Sequence, residues 1–425
     1  MDIQTVRWLS SPDGQAVLRE LPEYRDADVM TTSLALRERG LTPEQAGAAL
    51  TQKRLRVRAR AKFGEFADGM LFTPDGLEQA TRLEVAAAHA GRYRAQSLAT
   101  VHDLGCGIGA DAMVLSTLGI TVAALDLDPV TAAIADTNLR PWPDSRAHVG
   151  DAATFAPPPD AARSRVGVWF DPARRTTGVA DITGRTKRVF SLSQISPSWD
   201  VVQAMAKEVP ATGAKLSPSF PHGAVPADAE AQWTSWSGEV LECAIWWGPL
   251  ARTHGRTAQV LRAGASPVHV TEADTEPVTW VPGPSALGRW LYEPDKAVLR
   301  AGLVGAVTAR TSGRELDPGV GYVTSDEALD LPFAKRFAVE EAMAYSVKGL
   351  RQWLRDRDVT DVTIKKRGVS IDPDALRAQL RLGRKRSSGR HVTSTQAVQD
   401  EAAGSVTLVL TRIASHPVVL VVRPV

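Results

Sequence analysis

The chain has 425 residues, 44% of them hydrophobic, so it is long enough for two or three domains with buried cores. Its net charge of +2 gives no global electrostatic argument for a nucleic-acid partner, and its two cysteines, Cys106 and Cys243, provide neither a disulfide framework nor a metal cluster. It has no signal-like N-terminus and no apolar run of membrane-spanning length, so we expect a cytoplasmic protein without membrane or metal partners.

Residues 1–95 are predicted to form a mostly helical region. The segment Thr42–Gln45 is a capping box that begins one helix, and Thr73 is the N-cap of another helix that starts at Pro74. The basic run Lys53–Arg60 is typical of a solvated helix face, with an RNA contact as the alternative. Helices therefore precede the first predicted strand.

A glycine-rich turn follows this region. A buried strand beginning at Val101 passes through Asp103 into three alternating glycines: Gly105, Gly107 and Gly109. Glycine accepts positive φ and has no Cβ, so the backbone of such a turn can approach a nucleoside closely. A second strand, Ile120–Leu125, leads into Asp126, whose carboxylate can receive ribose hydroxyls. The pattern predicts one half of a nucleotide-binding α/β domain.

The glycine spacing differs from the G-x-G-x-x-G of NAD- and FAD-binding turns, and an acid precedes it. It resembles the first motif of class I S-adenosylmethionine-dependent methyltransferases. The sulfonium and amino group of that cofactor are positive, so Asp103 would attract it. In that family an acid or amide lies near the adenine, a place that Asp151 takes here. The resemblance implies S-adenosylmethionine as the cofactor.

From Thr100 onward, strands alternate with helices, which predicts a parallel sheet covered on both faces, over residues 96–265. Its fourth strand, Val166–Phe170, is followed by Asp171-Pro172-Ala173-Arg174-Arg175. Methyltransferases acting on exocyclic base nitrogens have Asp/Asn/Ser-Pro-Pro-aromatic at this place. We therefore expect catalytic roles for Asp171, Pro172 and Arg174, and a substrate contact from Arg175. Arg174 is alternatively a structural residue paired with a carboxylate.

The C-terminal part has a different organisation. Residues 266–325 are rich in Pro and Gly and are predicted to be a connector, preceded by a hairpin of Glu239–Trp246 with Arg256–Arg262. Residues 326–425 predict a small α+β domain. Its cationic side chains Lys365, Lys366 and Arg367 are candidates for holding a phosphate backbone, with a solvated surface as the equal alternative.

Two further resemblances concern the substrate. Residues 62–175 are similar to trimethylguanosine-synthase-type RNA methyltransferases, which implies that Thr73 lies near the cofactor, although the Ser-Pro-Pro-Trp turn of that family is absent. Nearly the whole chain resembles bacterial class I methyltransferases with a C-terminal THUMP-like domain. The matching segments are Asp171–Arg175, Leu291–Asp295, Thr324–Glu327 and Ile364–Gly368.

These resemblances imply an α/β fold: a Rossmann-like class I methyltransferase sheet between an N-terminal helical region and a small C-terminal α+β, THUMP-like domain. They also imply a methyltransferase that acts on a base nitrogen of structured RNA, tRNA or rRNA. Two alternatives stay open, because function belongs to sites and not to folds. One is a small-molecule or protein methyltransferase; the other is a cofactor-binding, RNA-interacting protein without catalysis.

Overall fold

The computed structural model describes residues 1–159, 165–174, 192, 195–380 and 405–425. The chain divides into two compact units. The first comprises Met1–Trp236 and Leu241–Gly255, and the second comprises Ser237–Val240 and Arg256–Val425. Among the described residues, no helix combines the length and the apolar character needed to cross a membrane.

The N-terminal part of the first unit is helical. Its helices are α1 (Ile3–Ser10), α2 (Pro12–Glu20), α3 (Val29–Glu38), α4 (Pro43–Phe63), α5 (Pro74–Gln79) and α6 (Leu83–Ala95). Their starts follow local chemistry, since the side chains of Thr42 and Thr73 cap α4 and α5 by accepting from the backbone N–H of Gln45 and Gly76. The capping box predicted at Thr42 is confirmed.

A mostly parallel sheet follows in the same unit. Its strands are β1 (Thr100–Leu104), β2 (Thr121–Asp126), β3 (Arg146–Val149), β4 (Val166–Phe170), β7 (Thr212–Leu216), β8 (Ala229–Trp236) and β9 (Glu239–Trp247). The helices α7 (Ala110–Thr117), α8 (Pro129–Leu139) and α9 (Trp199–Glu208) alternate with them. The order is β3-β2-β1-β4-β7-β9-β8.

The strands β3, β2, β1, β4 and β7 run parallel, and β9 is antiparallel to β7. In register, Leu104 lies opposite both Leu125 and Phe170. The carboxyl ends of β1, β2 and β4 therefore meet at one edge of the sheet, where ligands bind in open α/β sheets. We call this the carboxyl edge. It carries the predicted Gly turn, Asp126 and Asp171.

The predicted hairpin is wrong in its pairing. The neighbours of β9 in the sheet are β7 and β8, so β9 does not pair with the segment 256–262. Strands β8 and β9 are joined at Ser237 and Gly238, which both have positive φ, 50° and 87°. Two consecutive positive φ values suit the tight turn of a two-residue hairpin, and this turn sets the partner of β9.

The second unit contains the strands β10 (Gly255–Leu261), β11 (Val268–Thr271), β12 (Trp290–Pro294), β13 (Arg314–Glu315), β14 (Val323–Ser325), β15 (Ala334–Ala344), β16 (Asp361–Lys366), β17 (Ser405–Ile413) and β18 (His416–Pro424). Its helices are α10 (Lys296–Arg300), α11 (Gly305–Thr311), α12 (Val347–Asp356) and α13 (Pro373–Leu380). One sheet has the order β13-β14-β12-β15-β18-β17-β16. Strands β16 and β17 are parallel, and the other neighbouring strands of this sheet are antiparallel. Strands β12–β14, from the predicted connector, belong to this sheet.

Candidate active site

The glycine turn after β1 has the backbone that its sequence predicted. Gly105, Gly107 and Gly109 have φ of 90°, 56° and 84°. A Cβ at Gly105 would lie 2.7 Å from the carbonyl oxygen of Asp171, so the absence of a side chain lets two loops of the carboxyl edge touch. A Cβ at Gly107 would meet nothing within 4 Å. The turn therefore packs on protein at its start and faces open space at its middle.

Asp126, after β2, is bonded to this turn. The N–H of Gly107 donates to its Oδ2 and the N–H of Asp128 to its Oδ1, each at 3.0 Å. Burial raises the pKa of Asp126, and these two N–H groups oppose the rise. Each carboxylate oxygen can still accept another hydrogen bond. Asp126 therefore holds the turn and keeps free acceptor capacity at the carboxyl edge.

An exposed apolar patch, which the sequence reasoning missed, lies beside Asp126. The side chain of Leu127 is 67% exposed and that of Val149 is 60% exposed. Val149 lies opposite Asp126 in the pairing of β2 with β3, so the two apolar side chains belong to neighbouring strand ends. Asp151 is exposed close by and accepts from the N–H of Ala153 at 2.8 Å. The signal in the sequence was a leucine between two acids immediately after a buried strand.

The carboxyl group of Asp103, in β1, is buried. Its exposed fraction is 1%, and neither carboxylate oxygen has a hydrogen bond among the described residues. Burial raises its pKa well above the usual range, and the negative charges of Asp111 and Asp171 add to the rise. An ionised carboxylate taken out of water without compensation is costly. The site is therefore electrostatically complementary to a cation.

Thr73 is attached to the same turn. Its Oγ1 accepts from the N–H of Gly76 at 2.9 Å, and a Cβ at Gly76 would lie 2.5 Å from Cγ2 of Ile108, inside the glycine turn. Asn138 of α8 joins the two segments, because its Nδ2 donates to the carbonyls of Ile108 (2.9 Å) and Leu71 (3.1 Å). The start of α5 thus lies against the glycine turn.

Asp171 and Pro172 lie at the carboxyl end of β4. The Lys215 ammonium, at the end of β7, donates to Oδ2 of Asp171 at 2.5 Å and to Oγ1 of Thr81 at 3.0 Å. Burial raises the pKa of Asp171, and the charge of Lys215 opposes the rise. Pro172 is buried, and Ala173–Arg174 form the short strand β5, antiparallel to β6 (Ile195–Ser196). Arg175 lies outside the described residues, as does the side chain of Arg174.

A buried histidine that packs on Trp169 of β4 was not predicted. His89 of α6 has Nδ1 at 2.8 Å from Asp111 and Nε2 at 2.6 Å from Glu242, with its ring 4.5 Å from that of Trp169. Burial lowers the pKa of His89, but the charge of Glu242 and the hydrogen bond to Asp111 outweigh it and raise the pKa to about 9. His89 is therefore an imidazolium that donates to two carboxylates.

The predicted substrate-binding cations of the second unit differ from one another. Lys365 Nζ is 2.7 Å from Glu293, and Arg367 is 3.7 Å from the same carboxylate and stacks on the ring of Tyr322. Lys366 is exposed, and no ion pair is found for it within the described part of the chain. Two of the three charges are thus already compensated.

Comparison with known proteins decides the family. An uncharacterised S-adenosylmethionine-dependent methyltransferase of Mycobacterium tuberculosis is 34% identical over 342 residues, which are 77% of this chain and 87% of that one. The chain belongs to the S-adenosylmethionine-dependent methyltransferases. A THUMP domain-like family model matches residues 334–424, and a domain of unknown function matches residues 2–59. The cofactor and the THUMP-like domain predicted from the sequence are confirmed.

A crystal structure from Porphyromonas gingivalis W83, provisionally assigned as a methyltransferase, has the same fold. Its TM-score is 0.66 at 20% identity, and the alignment covers 95% of this chain and all of that chain (100%). The predicted class I α/β fold of the methyltransferase is therefore confirmed. Within the described residues, no cluster of His, Cys, Asp or Glu suits a metal ion.

The first unit fits the cofactor on its own geometry. S-adenosylmethionine supplies a methyl group activated by a sulfonium, and it also carries an ammonium group. Asp103 has a buried carboxyl group that lacks a hydrogen bond among the described residues, the middle of the glycine turn is open, and Leu127 is an exposed apolar surface beside Asp126. A carboxylate suits the ammonium, and an open backbone suits the nucleoside. An acceptor of hydroxyl hydrogen bonds suits the ribose, and an apolar face suits the adenine.

Proposed function

We propose that this methyltransferase modifies a base nitrogen in structured RNA, tRNA or rRNA. The observation that carries the proposal is the Asp171 turn. Its carboxylate sits at the end of β4, its backbone touches the cofactor turn at Gly105, and its Oδ2 is held by Lys215. An Asp-Pro turn in this place can accept hydrogen bonds from an exocyclic amino group. The THUMP-like match supports RNA as the substrate class.

The cofactor would be held by residues of the carboxyl edge. Asp103 would face its ammonium and Asp126 would accept from its ribose hydroxyls. Leu127 and Val149 would cover the adenine, whose amino group would donate to Asp151. The glycine turn of Gly105, Gly107 and Gly109 and the start of α5 at Thr73 would line the remaining surface. The buried, unbonded carboxyl group of Asp103 and the exposed side chains of Leu127 and Val149 support these roles.

The acceptor base would be positioned by Asp171 and Pro172. With Oδ2 occupied by Lys215, Oδ1 of Asp171 is the oxygen left to accept an N–H from the base amino group. That contact directs the nitrogen lone pair toward the methyl group in line, and such positioning is the main source of rate in this displacement. The proton that the amine loses goes to the carboxylate, which is 33% exposed and can pass it to water.

The RNA contacts would be distributed unequally. Lys366 is exposed and unpaired within the described part, so it is the best placed of the three C-terminal cations to contact a phosphate. Lys365 and Arg367 both pair with Glu293, so these two cations also stabilise the second unit. Arg174 and Arg175 follow the Asp-Pro turn and would contact the nucleotide beside the target base.

Transfer of a labelled methyl group tests the proposal. Purified protein is incubated with labelled S-adenosylmethionine and total RNA from a strain that lacks the gene, and the RNA is digested and its nucleosides identified. A single labelled nucleoside is expected with the wild type and none with Asp171→Asn. Label found only in protein or metabolites would replace RNA by the corresponding substrate class. Binding of both RNA and cofactor without any transfer would indicate a non-catalytic RNA-interacting protein.

A further inference from the structure

A continuous chain of buried polar groups ends at Asp171. Glu242 and Asp111 accept from the two ring nitrogens of His89, at 2.6 and 2.8 Å. Thr81 accepts from Lys215 at 3.0 Å, and its hydroxyl group helps to lower the pKa of Asp111. Lys215 in turn donates to Asp171 at 2.5 Å. Four of these groups come from α6, α7, β7 and β9, so the chain connects the Asp171 turn to two helices and two strands.

The donor directions of this chain are determined by its chemistry. An ammonium can only donate, so Lys215 donates to Thr81, and the single hydroxyl proton of Thr81 is then left for Asp111. The two nitrogens of His89 both face carboxylates, so both donate. Charges therefore alternate along the chain: negative, positive, negative, positive, negative. Without Lys215, the carboxylates of Asp111 and Asp171 would face each other in a buried region.

We propose that Lys215 is a positioning residue for methyl transfer, which holds Oδ2 of Asp171 so that Oδ1 stays an ionised acceptor for the substrate amino group. The inference rests on the proposed contact between Asp171 and the acceptor. Lys215 touches neither substrate nor cofactor in this role; it acts through Asp171. The groups that face Asp171 are Lys215 from β7, Asp111 from α7, Glu242 from β9 and Asp103 from β1.

The first test measures the titration of Asp171 directly and needs no substrate. Protein labelled with ¹³C at aspartate carboxyl carbons, saturated with S-adenosylhomocysteine, is titrated by NMR, and the Asp171 signal is assigned by its loss in Asp171→Asn. In Lys215→Met the midpoint should move upward by at least about one pH unit, because three negative neighbours are no longer opposed by a cation. In Lys215→Arg it should return close to the wild-type midpoint. An unmoved midpoint in Lys215→Met would refute the inference.

The second test uses turnover on the total RNA described above. Lys215→Met should lower kcat about 100-fold, with KM for S-adenosylmethionine changed less than about threefold, because orientation and not cofactor binding is lost. The acidic limb of the kcat–pH profile should lie at higher pH for Lys215→Met than for the wild type, so the activity of this variant partly recovers as pH rises. Lys53→Met is the matched control, since Lys53 is a half-buried ammonium of α4 whose charged neighbours, led by Arg56 and Asp68, include neither Asp171 nor Lys215.

Lys53→Met should leave the pH profile unchanged even if it lowers stability. An equal pH shift in both variants would mean that any buried ammonium has this effect, and would overturn the inference. If Lys215→Met does not fold, Lys215→Gln replaces it, because glutamine keeps a polar side chain but removes the positive charge; an unmoved Asp171 midpoint there refutes the inference in the same way. If the wild type transfers no methyl group to RNA, the proposed function fails, while the NMR titration still decides the role of Lys215.

Discussion

The carboxyl edge of the first unit differs from the basic segment of the second unit, Lys365–Arg367, in whether its charged groups are paired. At the carboxyl edge Asp103 is buried and unpaired within the described residues. In the basic segment the carboxylate of Glu293, 16% exposed, lies 2.7 Å from Lys365 and 3.7 Å from Arg367. A buried charge without a partner is stabilised when a ligand of opposite charge binds, whereas a charge in an ion pair is already stabilised within the protein. A ligand site therefore differs from a structural cluster in whether its charged groups have partners within the protein, and not in how many charged groups it has.

The largest effect is expected when the carboxyl group of Asp103 is replaced by an amide. Asp103→Asn should weaken binding of S-adenosylhomocysteine, measured by calorimetry, by about 100-fold or more, because the buried partner of the ammonium is lost. The ligand-free variant should melt at a higher temperature than the wild type. The folded-state pKa of Asp103 is raised, so its stability contribution is lost as pH rises through that value.

The gain in melting temperature should therefore be larger at pH 8 than at pH 5. Affinity that stays within threefold of the wild type would show that Asp103 is a structural acid and that the comparison is mistaken.

Substitutions in the glycine turn separate effects on cofactor affinity from effects on stability. Gly107→Ala places a methyl group in open space at φ of 56°, so it should cost about 1 kcal/mol of stability but lower cofactor affinity roughly tenfold. Gly105→Ala should cost about 2 kcal/mol or more, because its Cβ meets the Asp171 carbonyl. Calorimetry and urea unfolding measure the two effects.

Gly119→Ala is the control for the backbone cost. Its φ is 79° and its Cβ would also meet nothing within 4 Å, but it lies at the end of α7, away from the turn. It should lose stability without losing affinity. Equal affinities of the Gly107 and Gly119 variants would contradict the placement of the cofactor.

The apolar patch tests whether an exposed side chain belongs to the site. Leu127→Ala should lower cofactor affinity about five- to tenfold, because roughly 1 kcal/mol of apolar contact with the adenine is lost. Its stability should stay unchanged, since the side chain is 67% exposed without ligand. Met30→Ala, at a residue 73% exposed, should change neither quantity. A stability loss in Leu127→Ala with normal affinity would assign the leucine to packing.

The smallest effects are expected in the basic segment. Lys366→Gln should weaken RNA binding two- to threefold and reduce the slope of log affinity against log salt by about one, because one phosphate contact disappears. Lys365→Gln should leave that slope unchanged and cost less than about 1 kcal/mol, since its ion pair with Glu293 is partly exposed. If instead Lys365→Gln reduces the slope and Lys366→Gln leaves it unchanged, Lys365 leaves Glu293 and binds the RNA.

The sequence by itself determined the local parts of this protein. The positive φ of Gly105, Gly107 and Gly109 follows from residue type, and so do the N-caps at Thr42 and Thr73. The alternation of strands and helices was sufficient for the parallel sheet. These features depend on a few neighbouring residues, whose chemistry restricts the backbone wherever they stand.

Only the tertiary structure decided which groups meet. His89 bonds Glu242 across 153 positions, and Lys215 reaches Asp171 across 44 positions. The pairing of β9 with β8, and the compensation of Lys365 by Glu293, likewise depend on which elements become neighbours. A residue pattern specifies local conformation and burial, but an ion pair or a bare charge is a property of the surroundings, and these exist only once distant segments have packed together.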